Sequence, residues 1–135
     1  MNNNTIIIGA GRMGSSIARS LNNRSNVMVI DKNGEKLSRL QDYSGFVEAG
    51  DATEIRILEK VGIREADRVI AVTDDDNINI FLADLCTKVY GIKEMYIKLK
   101  DSRKRKIVDE RVVCICPFDL SLNFFEEEHR KEVAE

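Results

Sequence analysis

The sequence predicts an α/β fold: a doubly wound, parallel six-stranded sheet of Rossmann-like type, strand order 3-2-1-4-5-6. Three observations predict it. Short apolar runs alternate with segments of helical periodicity along the chain. One run, Val27-Met28-Val29-Ile30, is continuously apolar, as suits a parallel strand covered on both faces. Another, Thr5-Ile6-Ile7-Ile8, leads straight into Gly9-Ala10-Gly11-Arg12-Met13-Gly14, a G-x-G-x-x-G followed at once by a helical pattern.

The order strand, glycine turn, helix is what a dinucleotide loop requires. Gly9 lets the chain turn off the strand, Gly11 leaves room for a pyrophosphate, and Gly14 lets the helix pack close. The helix start then offers free N–H groups to phosphates. The first helix is predicted over Arg12–Leu21, with Met13, Ile17 and Leu21 forming one stripe. The second strand ends in Asp31, where a carboxylate can accept both hydroxyls of an adenosine ribose and would repel a 2′-phosphate. That favours NAD or an adenine nucleotide and disfavours NADP.

A second helix is predicted over Asn33–Tyr43, with Leu37 and Leu40 inward, and Phe46–Ala49 forms a short third strand. Gly50-Asp51-Ala52-Thr53 is a glycine turn at that strand's exit. Asp51 borders the adenine side of the cleft or is simply a turn residue, and Thr53 is the predicted N-cap of the next helix, which Gly62 stops. Arg68–Val72 is the fourth strand. The Thr73–Asn79 loop follows, with its Asp74-Asp75-Asp76 run, and faces the glycine loop across the crevice of a doubly wound sheet. Its helix is expected to turn Ile78, Phe81, Leu82, Leu85 and Val89 inward and to end at Gly91. Glu94–Leu99 is the fifth strand, with Lys98 near enough to its end to reach a phosphate. The basic run Asp101–Lys106 reads as the solvated face of a short helix, or as a patch for phosphate or an acidic partner. Val112–Cys116 is the sixth strand, stopped by Pro117. The final segment, 118–135, is amphipathic and needs cover, from its own domain or from a second subunit.

Composition narrows the function classes. At 135 residues the chain is one domain with a real core. A net charge of -2 with both signs interspersed lacks the basic footprint of a nucleic-acid binder. No apolar run approaches a membrane span, and the Met-Asn-Asn-Asn start lacks the pattern of a signal peptide, so a cytoplasmic protein is expected. Three scattered cysteines and a single His129 argue for buried thiols rather than a metal site.

The chain resembles the N-terminal domain of the regulators of potassium conductance, the RCK, KTN or TrkA-N type domain of potassium uptake systems and related channels. The residues that carry the resemblance are Ile8–Gly14, Asp31, Gly50–Thr53, Val61-Gly62-Ile63, Ala66–Thr73, Asp76, Asn79, Lys98 and Pro117. The resemblance implies a nucleotide-binding domain over residues 1–117 and a crossover, dimerising helix over 118–135, without the second, C-terminal lobe of that family. It implies a cytoplasmic regulatory subunit, non-catalytic, that binds NAD(H), ATP/ADP or AMP. It further implies a homodimer or larger ring, held at the inner face of the membrane by a potassium channel or transporter subunit. By the same resemblance Arg12 contacts phosphates, Asp31 holds the ribose, Asp51 lies by the adenine and Thr73 borders the phosphates. The candidate set is Gly9, Gly11, Arg12, Met13, Gly14, Asp31 and Lys32 from the first half-site. From the second come Asp51, Ala52, Thr73, Asp74, Asn79 and Lys98. Two positions depart from the family pattern: Lys98 replaces a common Arg, and Asn77 a common acid. The competing reading is a small NAD-dependent oxidoreductase, or a cofactor-binding fragment of one. No histidine is available near the cleft for it, although a Lys, Tyr or Glu could serve as acid or base.

Overall fold

A computed structural model describes residues 3–134. Met1, Asn2 and Glu135, at the ends of the predicted ranges, lie outside the described residues. The strands are β1 (Asn4–Ile8), β2 (Asn26–Asp31), β3 (Phe46–Ala49), β4 (Arg68–Ala71), β5 (Glu94–Lys98) and β6 (Val113–Ile115). All pair in parallel, in the order β3-β2-β1-β4-β5-β6. The helices are α1 (Arg12–Leu21), α2 (Gly34–Ser38), α3 (Ile55–Lys60), α4 (Asp76–Asp84) and α5 (Pro117–Ala134).

Alternation of side chains across the pleat divides the core into two layers. Ile6 and Ile8 of β1, Ile30 of β2 and Val69 of β4 point to the layer that takes in Leu58, Leu82 and Cys86. Ile7, Val29 and Ile70 point to the other, with Ala18 of α1 and Leu37 of α2. The middle of each of β1, β2 and β4 is therefore an unbroken apolar run, Ile6–Ile8, Val27–Ile30 and Val69–Ala71, because both faces are covered there.

Four sequence expectations are corrected. The second helix, expected over Asn33–Tyr43, ends at Ser38. Asp42 takes a left-handed φ of 56°, and the Tyr43 hydroxyl lies 2.6 Å from the Val27 carbonyl oxygen and 2.8 Å from that of Phe46. Leu40 and Tyr43 still pack on the core, but from irregular chain, so their helical spacing is misleading. Thr53 is not the N-cap of α3; Glu54 stands there, and the Thr53 hydroxyl donates to Asp51 instead. Phe81 and Val89 were expected inward and are 45% and 68% exposed. The buried stripe of α4 runs through Asn79, Ile80, Leu82 and Ala83 and leaves Phe81 outside, and a π-helical turn over Leu85–Val89 follows, in which Cys86 and Thr87 are buried and Val89 is not. Among the described residues, no helix is long and apolar enough to cross a membrane.

Candidate functional site

The strand ends build one cleft. Gly9 leaves β1 with φ 109°, and a Cβ there would lie 2.8 Å from the Val72 carbonyl oxygen, so only glycine fits both the turn and the contact with β4. Gly14 is tighter: its Cβ would sit 1.8 Å from the Gly9 carbonyl oxygen, which brings α1 down onto its own loop. At Gly11 the same construction meets nothing within 4 Å. That open side is the cradle, lying where α1 begins and its first N–H groups lack helical partners.

Asp31 holds the cradle against β2. Its Oδ2 accepts from the Ala10 N–H at 2.7 Å and its Oδ1 from the Asn33 N–H at 2.7 Å. A carboxylate has about four acceptor positions, so both oxygens keep capacity for ribose hydroxyls. Asn33, not Asp31, caps α2. Across the cleft, Asp51 accepts from the Thr53 N–H at 2.9 Å and hydroxyl at 2.7 Å, while Lys32 approaches its other oxygen at 3.5 Å. The two Thr53 hydrogen bonds, helped by Lys32, hold the Asp51 carboxyl below its usual range. Ala52 is buried beneath this turn.

The third wall is the loop after β4. Asn79 is 0% exposed, and its amide is fully used. Its oxygen accepts from the Thr73 N–H and hydroxyl; its nitrogen donates to the carbonyls of Thr73 and Lys98. Asn79 does not line the cleft; it holds Thr73 from behind. The aspartate run divides its labour. Asp75 caps α4 by accepting from the N–H groups of Asn77 and Ile78. Asp76 is buried and accepts from the Lys100 and Asp101 N–H groups at 2.8 and 3.0 Å. Asp74 faces the cleft, 3.3 Å from the Lys98 ammonium, which holds its carboxyl below the usual range.

Gly9, Gly11, Asp31, Lys32, Asp51, Ala52, Thr73 and Asp74 meet around a cleft of about 390 Å3, the size of a small-molecule site. Arg12, Met13 and Lys98 do not line it. They border an adjoining groove with Ser16 and Pro117, joined to the cleft through Gly11, Val72 and Asp74. Gly14 lies behind the loop as a packing residue. The sequence reading missed Asn33, Lys36 and Ile78 on the cleft wall. Lys36 and Ile78 look like ordinary helix residues, and only the fold brings them to the strand ends.

Fold and cleft together are those of a Rossmann-like nucleotide-binding domain. Residues 5–114 match the TrkA-N domain, and the chain belongs to that family. It is 36% identical over 129 residues to a Trk system potassium uptake protein TrkA homolog from Pyrococcus abyssi, covering 88% of this chain and 56% of that protein. The chain therefore spans about half the length of the curated relatives it matches. The NAD(P)-binding domain of an exopolyphosphatase-related protein from Archaeoglobus fulgidus superposes with a TM-score of 0.77 at 19% identity, covering 96% of this chain and 99% of that one. The Kef C-terminal domain of Shewanella denitrificans, in its AMP-bound form, gives 0.69 at 22% identity over 90% of this chain and 77% of that one.

Proposed function

We propose that this chain is a non-catalytic nucleotide sensor that regulates a potassium transporter or channel from the cytoplasmic side. The observation that carries the reading is the pairing of Asp31 with Gly11: an acceptor for a ribose diol at the end of β2, beside a glycine with open space above it. An adenosine seats with its base between Asp51-Ala52-Thr53 and Ile78, its ribose on Asp31, and its phosphates over Gly11 toward Arg12. NAD(H), ATP, ADP and AMP share that half. The TrkA-type relatives and the family membership support the link to potassium uptake. Regulation then rests on two nucleotides that bind two arrangements of the domain with different affinity, because a ligand shifts a conformational equilibrium only by that difference.

A thermal-melting panel of NAD, NADH, AMP, ADP and ATP tests the site. At 100 times its Kd a bound nucleotide adds about 2.7 kcal/mol of stability. At least one should raise Tm, and Asp31→Ala should abolish the rise; no shift from any at millimolar level removes the nucleotide reading. Steady loss of NADH absorbance with a metabolite panel, at roughly 1 s⁻¹ or faster, would show a dehydrogenase instead.

A further inference from the structure

The far edge of the sheet carries a group of side chains that the nucleotide cleft does not use. β6 is the outermost strand, and Cys114 lies in its middle. Cys116 follows the strand and immediately precedes Pro117, the first residue of α5. As alternate residues the two turn to one face of the sheet: Cys116 is buried in the core layer there, and Cys114 packs half-buried against it. The short 3-10 helix Ser102–Ile107 brings Arg105 to the pair. Its Nη2 lies 3.2 Å from Cys116 Sγ and 3.5 Å from the Cys114 carbonyl oxygen.

Arg105 is committed to these thiols. Arg103 and Lys104, from the same basic run, face Asp101 and Asp76. The Arg105 guanidinium is held above its usual range by Cys116 first and by Cys114 after it, with no carboxylate contributing. Burial pushes the Cys114 thiol up, and Arg105 opposes that. Cys86 has no such neighbour, and burial alone pushes it up to about 12. The Cys116 carbonyl accepts from the Leu120 N–H at 3.0 Å, so this residue stands at the start of α5, where a helix favours negative charge.

The spacing decides what such a pair can do. Alternate residues of an extended strand are roughly 6.6 Å apart, whereas a disulfide wants Cβ atoms about 4 Å apart. A metal ion placed between the sulfurs adds two bonds of about 2.3 Å each and spans the difference. Structural zinc takes four ligands, and among the described residues no third His, Cys, Asp or Glu completes a metal-sized group. A soft monovalent ion is satisfied by two thiolates. That complex carries one net negative charge, which Arg105 offsets; a divalent ion would leave the guanidinium unneutralised.

We infer that Cys114 and Cys116 form a two-coordinate site for a soft monovalent metal ion, of the Cu(I) class, with Arg105 as its counter-charge. Two sulfur–metal bonds form, the two thiol protons pass to solvent, and nothing is oxidised or reduced. The site lies at the junction of β6 with α5 and stands independently of the nucleotide reading.

The probe is Cu(I), titrated without oxygen into the full reduced chain against the coloured chelator bathocuproine disulfonate. The native chain should withdraw one equivalent per chain, and X-ray absorption should show two sulfur ligands. Cys114→Ser, at a half-buried position, should weaken binding roughly a hundredfold. Arg105→Gln should weaken it roughly tenfold, and Cys86→Ala less than about threefold. Circular dichroism checks that each variant is folded, and labelling of the native chain needs no substitution: Cu(I) should protect Cys114 from iodoacetamide. Three results overturn the inference: no withdrawal of Cu(I) by the native chain, unchanged affinity in Cys114→Ser, or half an equivalent per chain, which makes the ion a bridge between copies. Unchanged affinity in Arg105→Gln overturns the role of the counter-charge.

Discussion

Gly11 and Gly14 are equivalent letters in a glycine motif, but the structure gives them opposite duties. A methyl at Gly14 collides with the Gly9 carbonyl oxygen at 1.8 Å, a backbone atom that cannot swing away. Gly14→Ala should therefore cost about 3 kcal/mol, read as a lowered midpoint in urea unfolding. A methyl at Gly11 touches no protein atom, and its backbone angles suit any residue. Gly11→Ala should leave stability within about 0.5 kcal/mol yet weaken nucleotide binding roughly tenfold, about 1.4 kcal/mol, because the methyl fills the space of the phosphates. Equal losses of stability in the two variants would refute this division. Residue types on a known motif were thus legible in advance: Gly9, Gly11, Gly14 and Asp31 occupy the positions their chemistry predicts. The partners of Asn79 were not legible, because its sequence position says nothing of which groups its amide binds.

At the scale of elements, the strands were legible and the helix limits were not. A strand buried on both faces declares itself by an unbroken apolar run, as Thr5–Ile8 and Val27–Ile30 do. A helix declares itself by spacing, and Leu40 and Tyr43 continue the spacing of Leu37 after the helix has ended, Tyr43 being anchored by its hydroxyl between two strand carbonyls. Capping was ambiguous for a related reason. Thr53 can cap a helix or close a turn, and Asp51 two residues earlier draws it into the turn. That turn and the Asp74–Lys98 pair tie two cleft walls to ionised carboxylates. Both carboxyls are held below the ordinary 3.8, so the stability they contribute is fully present above about pH 4 and is lost as the pH falls through their lowered values. Melting temperatures measured from pH 6 down to about 2 should fall in acid for the native chain, and fall less steeply for Thr53→Val, which lacks the hydroxyl donor to Asp51. An identical acid profile for that variant would remove the Asp51 turn from the cause.

At the scale of the whole molecule, five parallel pairings follow from the alternation of strands and helices, and the dinucleotide loop after β1 points to the order the sheet adopts, β3-β2-β1-β4-β5-β6. What alternation does not supply is a partner for α5. None of the eighteen residues of this helix is buried, although Phe118, Leu120, Leu122, Phe124 and Phe125 are all apolar. Phe118, Leu122 and Phe125 recur at helical spacing and form one stripe. Next to the start of α5, Val113 of β6 is half exposed on the sheet face it shares with Tyr96. Several bare aromatic side chains on one helix are more apolar surface than a stable monomer ordinarily leaves in water. A second copy is the occupant these features favour, since a two-fold axis lets each α5 stripe cover the other with the same residues. Light scattering should give twice the 15.3 kDa of one chain. Phe118→Glu/Phe125→Glu should give monomers whose circular dichroism keeps the sheet signal, because neither side chain belongs to the core. A native chain that remains monomeric across its soluble concentration range, or a variant that remains dimeric, would assign the stripe to a different partner surface.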